Sequence, residues 1–270
     1  MRAFDLAREW PASNTSICVI DRRGNTHKFG DTSRSSRIAS VSKLLTAWAT
    51  LVAVEEGSTS LGAQIGQQDC TLTHLLSHAG GYSFDGAVPI VAPGRKRIYS
   101  NTGYDLIAGH IQQSTDIVFS DYLQDAIFSP LGMAKSFLNG SSAKDVVSCV
   151  DDLSAFAIEM RNPSLISNAN VGLSTTTHFA ELEGVVPGVG RFNPCNWGLG
   201  PEIHGIKHPH WMGTRNSAST FGHFGGTGSF LWHDPAANIS CVGLCEVDFD
   251  AWAMHHWPIF FDAVLDELTR

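Results

Sequence analysis

From Ser40 to Glu56 the chain is apolar on nearly every face of the helix that its spacing predicts, and Gly57 follows as the residue that ends it. A helix without a polar face has to be wrapped by the rest of the protein, so this segment is expected at the centre of the fold. The chain has 270 residues, 43% of them hydrophobic, which is ample for a core in one large domain or two interdigitated ones.

The flanking segments differ in texture. Residues 16 to 21 form a β-branched apolar run, and Arg23-Gly24-Asn25 turns the chain into a second extended piece, Thr26 to Phe29, which reads as a hairpin. Helical patterns follow at Thr71–His78, then through Ile111 after Tyr99-Ser100-Asn101, which is read as starting in a loop, and again at Phe119–Phe128 and Val150–Met160. From about residue 171 the chain is rich in Gly, Pro and Thr. Extended pieces are expected at Asn196–Gly200, Phe230–Trp232 and Ile239–Cys245, the last two as a hairpin through Asp234-Pro235. A closing helix is expected from Pro258, in its first turn, to Leu268. Strands at both ends around a helical middle predict an α/β fold of the α+β kind. In it, residues 1–45 and 171–270 form a discontinuous α/β domain with an antiparallel sheet flanked by helices, and 46–170 form an inserted, mainly helical domain.

Composition narrows the function. The net charge is −8 and only Arg95-Lys96-Arg97 is locally basic, which excludes the clustered cations that nucleic-acid binding needs. The first eleven residues contain Asp5 and Glu9 and no apolar run of leader length, and no stretch is long enough to span a bilayer. The expectation is a cytoplasmic protein with no membrane partner. Its six cysteines have no C-x-x-C pairing and are expected as free buried thiols, and neither a metal nor a cofactor is expected.

At the start of the central helix, Ser40 and Lys43 stand at i and i+3, on one face, so the amine can reach the hydroxyl. A serine there also meets unpaired backbone N–H groups and the positive end of the helix dipole, which favour negative charge developing on an attacked carbonyl. A helix N-cap is the other use of a serine in that place. The same S-x-x-K pattern recurs at Ser141-Ser142-Ala143-Lys144, but after the turn signal Asn139-Gly140 and without a buried-looking helix behind it, so those serines read as turn or cap residues. The run Phe221-Gly222-His223-Phe224-Gly225-Gly226-Thr227-Gly228-Ser229 precedes a strand. Its glycines suit either close approach of a substrate backbone or a bulge entering the strand.

Taken together, Ser40 to Lys43 as S-x-x-K, Tyr99-Ser100-Asn101 as Y-x-N, and His223-Phe224-Gly225 in place of a K-T-G box resemble the serine β-lactamase and penicillin-binding-protein group, in particular its class C-like branch with related esterases. The stretch Thr71 to Gly81 is similar to that family's T-x-x-H-L-L-x-H segment, and Pro93-Gly94 precedes the tyrosine as it usually does there. The resemblance covers nearly the whole chain and implies a β-lactamase/transpeptidase-like fold and a serine hydrolase that works through an acyl-enzyme on ester or amide carbonyls. It implies Ser40 as nucleophile, Lys43 and Tyr99 sharing the proton transfers, and Asn101 holding Lys43 or the substrate amide. It further implies an oxyanion hole of the Ser40 and Gly226 N–H groups, and His223, Phe224, Gly225 and Gly226 on the substrate. Lysine and tyrosine both have ordinary pKa values near 10, so one of them must be shifted to serve as base.

The third motif departs from the family. Where β-lactamases and peptidases usually have lysine, His223 supplies a positive charge for a substrate carboxylate only when protonated. An esterase-like activity on small-molecule substrates is therefore expected first, weak β-lactam or D-amino-acid peptide hydrolysis second, and a non-catalytic binding protein third. His208-Pro209-His210-Trp211 has metal-like spacing without an acidic or cysteine cluster and reads as bracing the pocket. His255-His256 reads as surface. Arg95, Lys96 and Arg97 either attract an acidic substrate or lie on a solvated loop. Phe221, Phe224, Phe230, Trp232 and Trp211 suit either an acyl-binding cleft or the core.

Overall fold

A computed structural model describes residues 1–269. Its main element is a six-stranded antiparallel sheet in the order Thr26–Phe29, Ser16–Ile20, Ile239–Leu244, Ser229–Asp234, Phe221–Gly225, Glu202–Ile203. The N-terminal hairpin joins the C-terminal strands through Ser16↔Leu244 to Ile20↔Ser240. Every residue of Ser16–Ile20 is buried because both faces of the sheet are covered. Alternation sorts the side chains: Cys18, Ile20, Leu231 and Val242 point into the core shared with the helices of the middle of the chain. Ile17, Val19, Phe230, Trp232 and Cys241 point to the opposite side, against the C-terminal helix.

The central helix is Ser42–Glu55, with every side chain from Ser42 to Ala53 buried, and Gly57 takes the left-handed conformation (φ 78°) that ends it. It packs against the helices Asn101–Thr115 and Phe119–Leu123 and against the Phe221–Gly225 strand. The helix Val150–Arg161 lies on the sheet itself, over Ser16–Ile20, Ser229–Asp234 and Ile239–Leu244. The N-terminal hairpin, the hairpin through Asp234-Pro235 and the helices near residues 72–76, 119–128 and 150–161 fall where the sequence places them. The six cysteines are free and buried.

Four local expectations are corrected. Ser40 lies in a 3₁₀ turn, Ala39–Val41, ahead of the α-helix, and it follows Ala39 in the left-handed region at φ 45°. Asn101 is the first residue of the helix Asn101–Thr115, whose N-cap is Ser100, so of Tyr99-Ser100-Asn101 only Tyr99 and Ser100 lie ahead of the helix. Asn196–Gly200 is no strand; Trp197 alone bridges to Glu202. The last helix starts at Ala251, seven residues before Pro258, which sits inside it. Burial of Ala253 and Trp257 against the sheet outweighs the hydrogen bond that an interior proline removes.

Candidate active site

Three segments meet at Ser40. The first is its own 3₁₀ turn, and the second, the turn joining Phe221–Gly225 to Ser229–Asp234, grips that turn from the sheet side. Thr227 Oγ1 donates to Arg37 O at 2.9 Å and Ser229 Oγ to Ile38 O at 2.6 Å. Gly225 is needed here: a Cβ on it would lie 2.5 Å from Ile38 O and 3.0 Å from the Ala39 Cβ. The close approach that its missing side chain permits is thus to the strained turn before Ser40, not to a substrate. The third segment is the start of Asn101–Thr115, where Ser100 caps the helix and so fixes Tyr99 and Asn101 on either side of itself.

Lys43 is fully buried. Its Nζ donates to Asn101 Oδ1 at 2.7 Å and to Ala143 O at 2.9 Å, and lies 3.5 Å from Ser40 Oγ. Two firm acceptors use two N–H bonds; the third position of the nitrogen faces Ser40. Burial pushes the Lys43 pKa well below its ordinary value, more than the more distant Asp105 and Asp85 raise it. A neutral amine with its lone pair toward Ser40 fits both the geometry and the electrostatics. The other end of the Asn101 amide is held as well, its Nδ2 donating to Asp85 Oδ1 at 2.9 Å. The second S-x-x-K copy contributes through its backbone: Ala143 O holds Lys43, while Ser141 bonds Asp105 and Ser142 bonds Tyr104 O. Lys144 pairs with Asp85.

Tyr99 is buried, with the ring centroids of His78 and Phe84 at 4.5 Å and 5.8 Å from its own. Burial raises its pKa well above the ordinary phenol value, against a smaller opposite effect from a hydrogen bond with Ser40. Tyr99 therefore stays protonated. Its hydroxyl lies 3.5 Å from His223 Nε2. His223 Nδ1 is 2.6 Å from Phe224 O, which can only accept, so Nδ1 carries the proton and Nε2 is the acceptor for Tyr99. Burial, with Lys43 as the second cause, lowers the His223 pKa to about 3, so the protonated form that a carboxylate-holding role requires is absent at neutral pH.

Above Ser40 is a cavity of about 230 Å³. Tyr99, His223, Phe224 and Gly226 line it with Ser40; Lys43, Asn101 and Gly225 are not in its wall. The remaining lining is apolar and includes Phe84, Val186, Pro187, Trp197 and Phe249, none of which carries a motif in the sequence. Of the aromatic residues singled out from the sequence, only Phe224 reaches the cavity; Phe221, Phe230, Trp232 and Trp211 are core. His78, the last histidine of the T-x-x-H-L-L-x-H segment, stands against Tyr99, with ring centroids 4.5 Å apart. It accepts from Ser100 N through Nδ1, and its left-handed backbone (φ 58°) is the local signal of a special role.

Beside the site, Glu202 is buried and accepts from Lys207 Nζ at 2.7 Å, from Trp211 Nε1 at 2.8 Å and interacts with His210 Nε2 at 2.9 Å. His210 is thus engaged with a carboxylate. Among the described residues there is no group of three or more His, Cys, Asp or Glu side chains that could hold a metal. Arg97 is neither on a solvated loop nor available to a substrate: it is buried, and donates to Cys195 O, Ser77 O, His178 O and Phe179 O.

A serine in a strained turn, a buried amine facing it and an apolar chamber above thus form one site. The beta-lactamase family model matches residues 31–256. The crystal structure of a beta-lactamase from Mycobacterium bovis is 40% identical, with 99% of this chain and 100% of that one covered at a TM-score of 0.97. The chain belongs to the beta-lactamase family, whose members are serine hydrolases. Two more distant structures share the fold alone. A mutant simvastatin synthase from Aspergillus terreus is 16% identical over 99% of this chain and 98% of that one, TM-score 0.81. The octameric penicillin-binding protein homologue from Pyrococcus abyssi is 18% identical over 100% and 76%, TM-score 0.73. No curated protein matches the chain. Among the described residues no helix is long and apolar enough to cross a membrane.

Proposed function

We propose that this protein hydrolyses small uncharged esters through an acyl-enzyme on Ser40. The observation that carries this reading is the Lys43 amine, buried, held by Asn101 and Ala143, and facing Ser40 Oγ at 3.5 Å. Lys43 accepts the Ser40 proton as Oγ bonds to the ester carbonyl carbon. The Ser40 and Gly226 N–H groups receive the oxyanion, and collapse breaks the bond to the alkoxide. The leaving oxygen takes its proton from the Tyr99 hydroxyl, and Tyr99 regains one from Lys43 by way of the vacated site. Water then repeats the sequence on the acyl group. His223 orients the Tyr99 hydroxyl.

The preference for esters over β-lactams and D-amino-acid peptides rests on His223. Buried and neutral, it offers no fixed charge to the carboxylate those substrates carry. Similarity to the Mycobacterium bovis beta-lactamase supports weak β-lactam hydrolysis as the second reading. Comparison of kcat/KM for p-nitrophenyl butyrate and for a chromogenic cephalosporin separates the two: a ratio of about 10² or more in favour of the ester is expected, and a ratio in favour of the cephalosporin overturns the ester reading.

A further inference from the structure

Against the Ser40 chamber lies a second, outer cleft of about 370 Å³. The two share Phe84, Tyr99 and Pro187 as walls, so the outer cleft adjoins the chamber on its Tyr99 side. Ile90, Ile98 and Val185 complete its apolar floor. Phe84 is 48% exposed, Ile90 60% and Val185 53%. Large apolar side chains left open side by side around a concavity mark a binding surface, in contrast to scattered ones. The charges nearby do not ask for an ionic ligand. Arg97 is spent on four backbone carbonyls, and Arg191 is paired with Glu183 at 2.8 Å, with Lys96 the remaining cation at the rim.

We infer that the outer cleft binds the alcohol part of the substrate, and that the substrate class is esters of a short acyl group with an extended, uncharged, apolar alcohol. This rests on the hydrolase reading above, in which Tyr99 protonates the leaving oxygen. Because Tyr99 is one of the walls common to both cavities, with Phe84 and Pro187, a leaving group protonated by it emerges toward Phe84, Ile90 and Val185. The acyl group stays in the smaller chamber, closed by Trp197, Phe224 and Phe249. Ester hydrolysis needs only water as co-reactant: the acyl carbon to alkoxy oxygen bond breaks, the alcohol leaves with one proton, and water supplies the acid's hydroxyl.

The test is a pH-stat series of acetate esters from ethyl to octyl, beside p-nitrophenyl esters from acetate to octanoate. Burial of a methylene in the outer cleft raises kcat/KM about twofold to fourfold, the upper figure being the equivalent of about 0.8 kcal/mol. The rise is expected along the alcohol series and not along the acyl series. With a common acetyl-enzyme, kcat changes less than kcat/KM. Ile90→Asp and Val185→Asp, both at exposed positions that do not threaten folding, should flatten the alcohol series. Ile206→Asp, exposed and outside both cavities, should leave it as in the parent. Ester turnover dependent on Ser40 but flat with alcohol length, or rising with acyl length only, or unaltered in both aspartate variants, overturns the inference and leaves the hydrolase reading standing. Absence of any ester turnover together with no acylation of Ser40 overturns both.

Discussion

Lys43 gives its shortest hydrogen bond, 2.7 Å, to Asn101 Oδ1 and stands 3.5 Å from Ser40 Oγ. The asymmetry describes an amine anchored by one neighbour and left facing the other, and burial lowers its pKa well below the ordinary lysine value. Activity requires the neutral form, so kcat/KM for a neutral ester should rise with pH as Lys43 loses its proton, with an inflection well below the ordinary lysine value of about 10.4. Lys43→Ala should lower turnover on the order of 10² or more. Lys43→Arg should do no better, because a guanidinium does not release its proton. Near-parental rates in the arginine variant would remove Lys43 as base.

His223 should remain neutral through the neutral range. Its ring is buried, donates to Phe224 O and accepts from Tyr99, with a pKa of about 3. Its ring resonances should therefore show no titration between pH 5 and 8, and anionic and neutral esters should share one pH profile there. A titration near 6.5 in NMR spectra would restore the carboxylate-binding role.

Gly225 and Gly226 should separate packing from access. A Cβ at 225 meets Ile38 O and the Ala39 Cβ, whereas one at 226 meets nothing within 4 Å. Gly225→Ala is expected to destabilise the protein by about 1–3 kcal/mol as overpacking does. Gly226→Ala should leave stability within about 0.5 kcal/mol. Urea unfolding of both variants checks the contrast, and equal midpoints would refute it.

The buried Glu202 ties Lys207, His210 and Trp211 together beside the strand that carries His223. Burial alone would raise its carboxyl, but Lys207 and His210 outweigh this and hold it well below the usual range. Its contribution to stability is thus present above the unfolded carboxyl's value, about 4.3, and is lost as pH falls through the lowered folded value. Glu202→Gln should cost about 3–5 kcal/mol at pH 7, since Lys207 is left buried without its counter-charge. A calorimetric change under 1 kcal/mol would contradict that.

Much of this was legible in the residues themselves. The central helix, apolar on most sides, is buried from Ser42 to Ala53, and the β-branched run at Ser16–Ile20 is a strand of the N-terminal hairpin, as their patterns suggest. Ser40, Lys43, Tyr99 and His223 converge as their motifs suggest. What sequence does not encode locally was missed. Ala143 acts through a carbonyl that every residue has, and Phe84, Trp197 and Phe249 reach the chamber only by tertiary placement. The charge of His223 depends on burial that no spacing reveals, and the start of the last helix was set by packing of Ala253 and Trp257, not by Pro258.

The central claim, that Ser40 is the group acylated, is tested most directly by mass spectrometry of the protein after exposure to a fluorophosphonate. A single adduct is expected on the peptide containing Ser40, absent from Ser40→Ala. An adduct that persists unchanged in Ser40→Ala would contradict it.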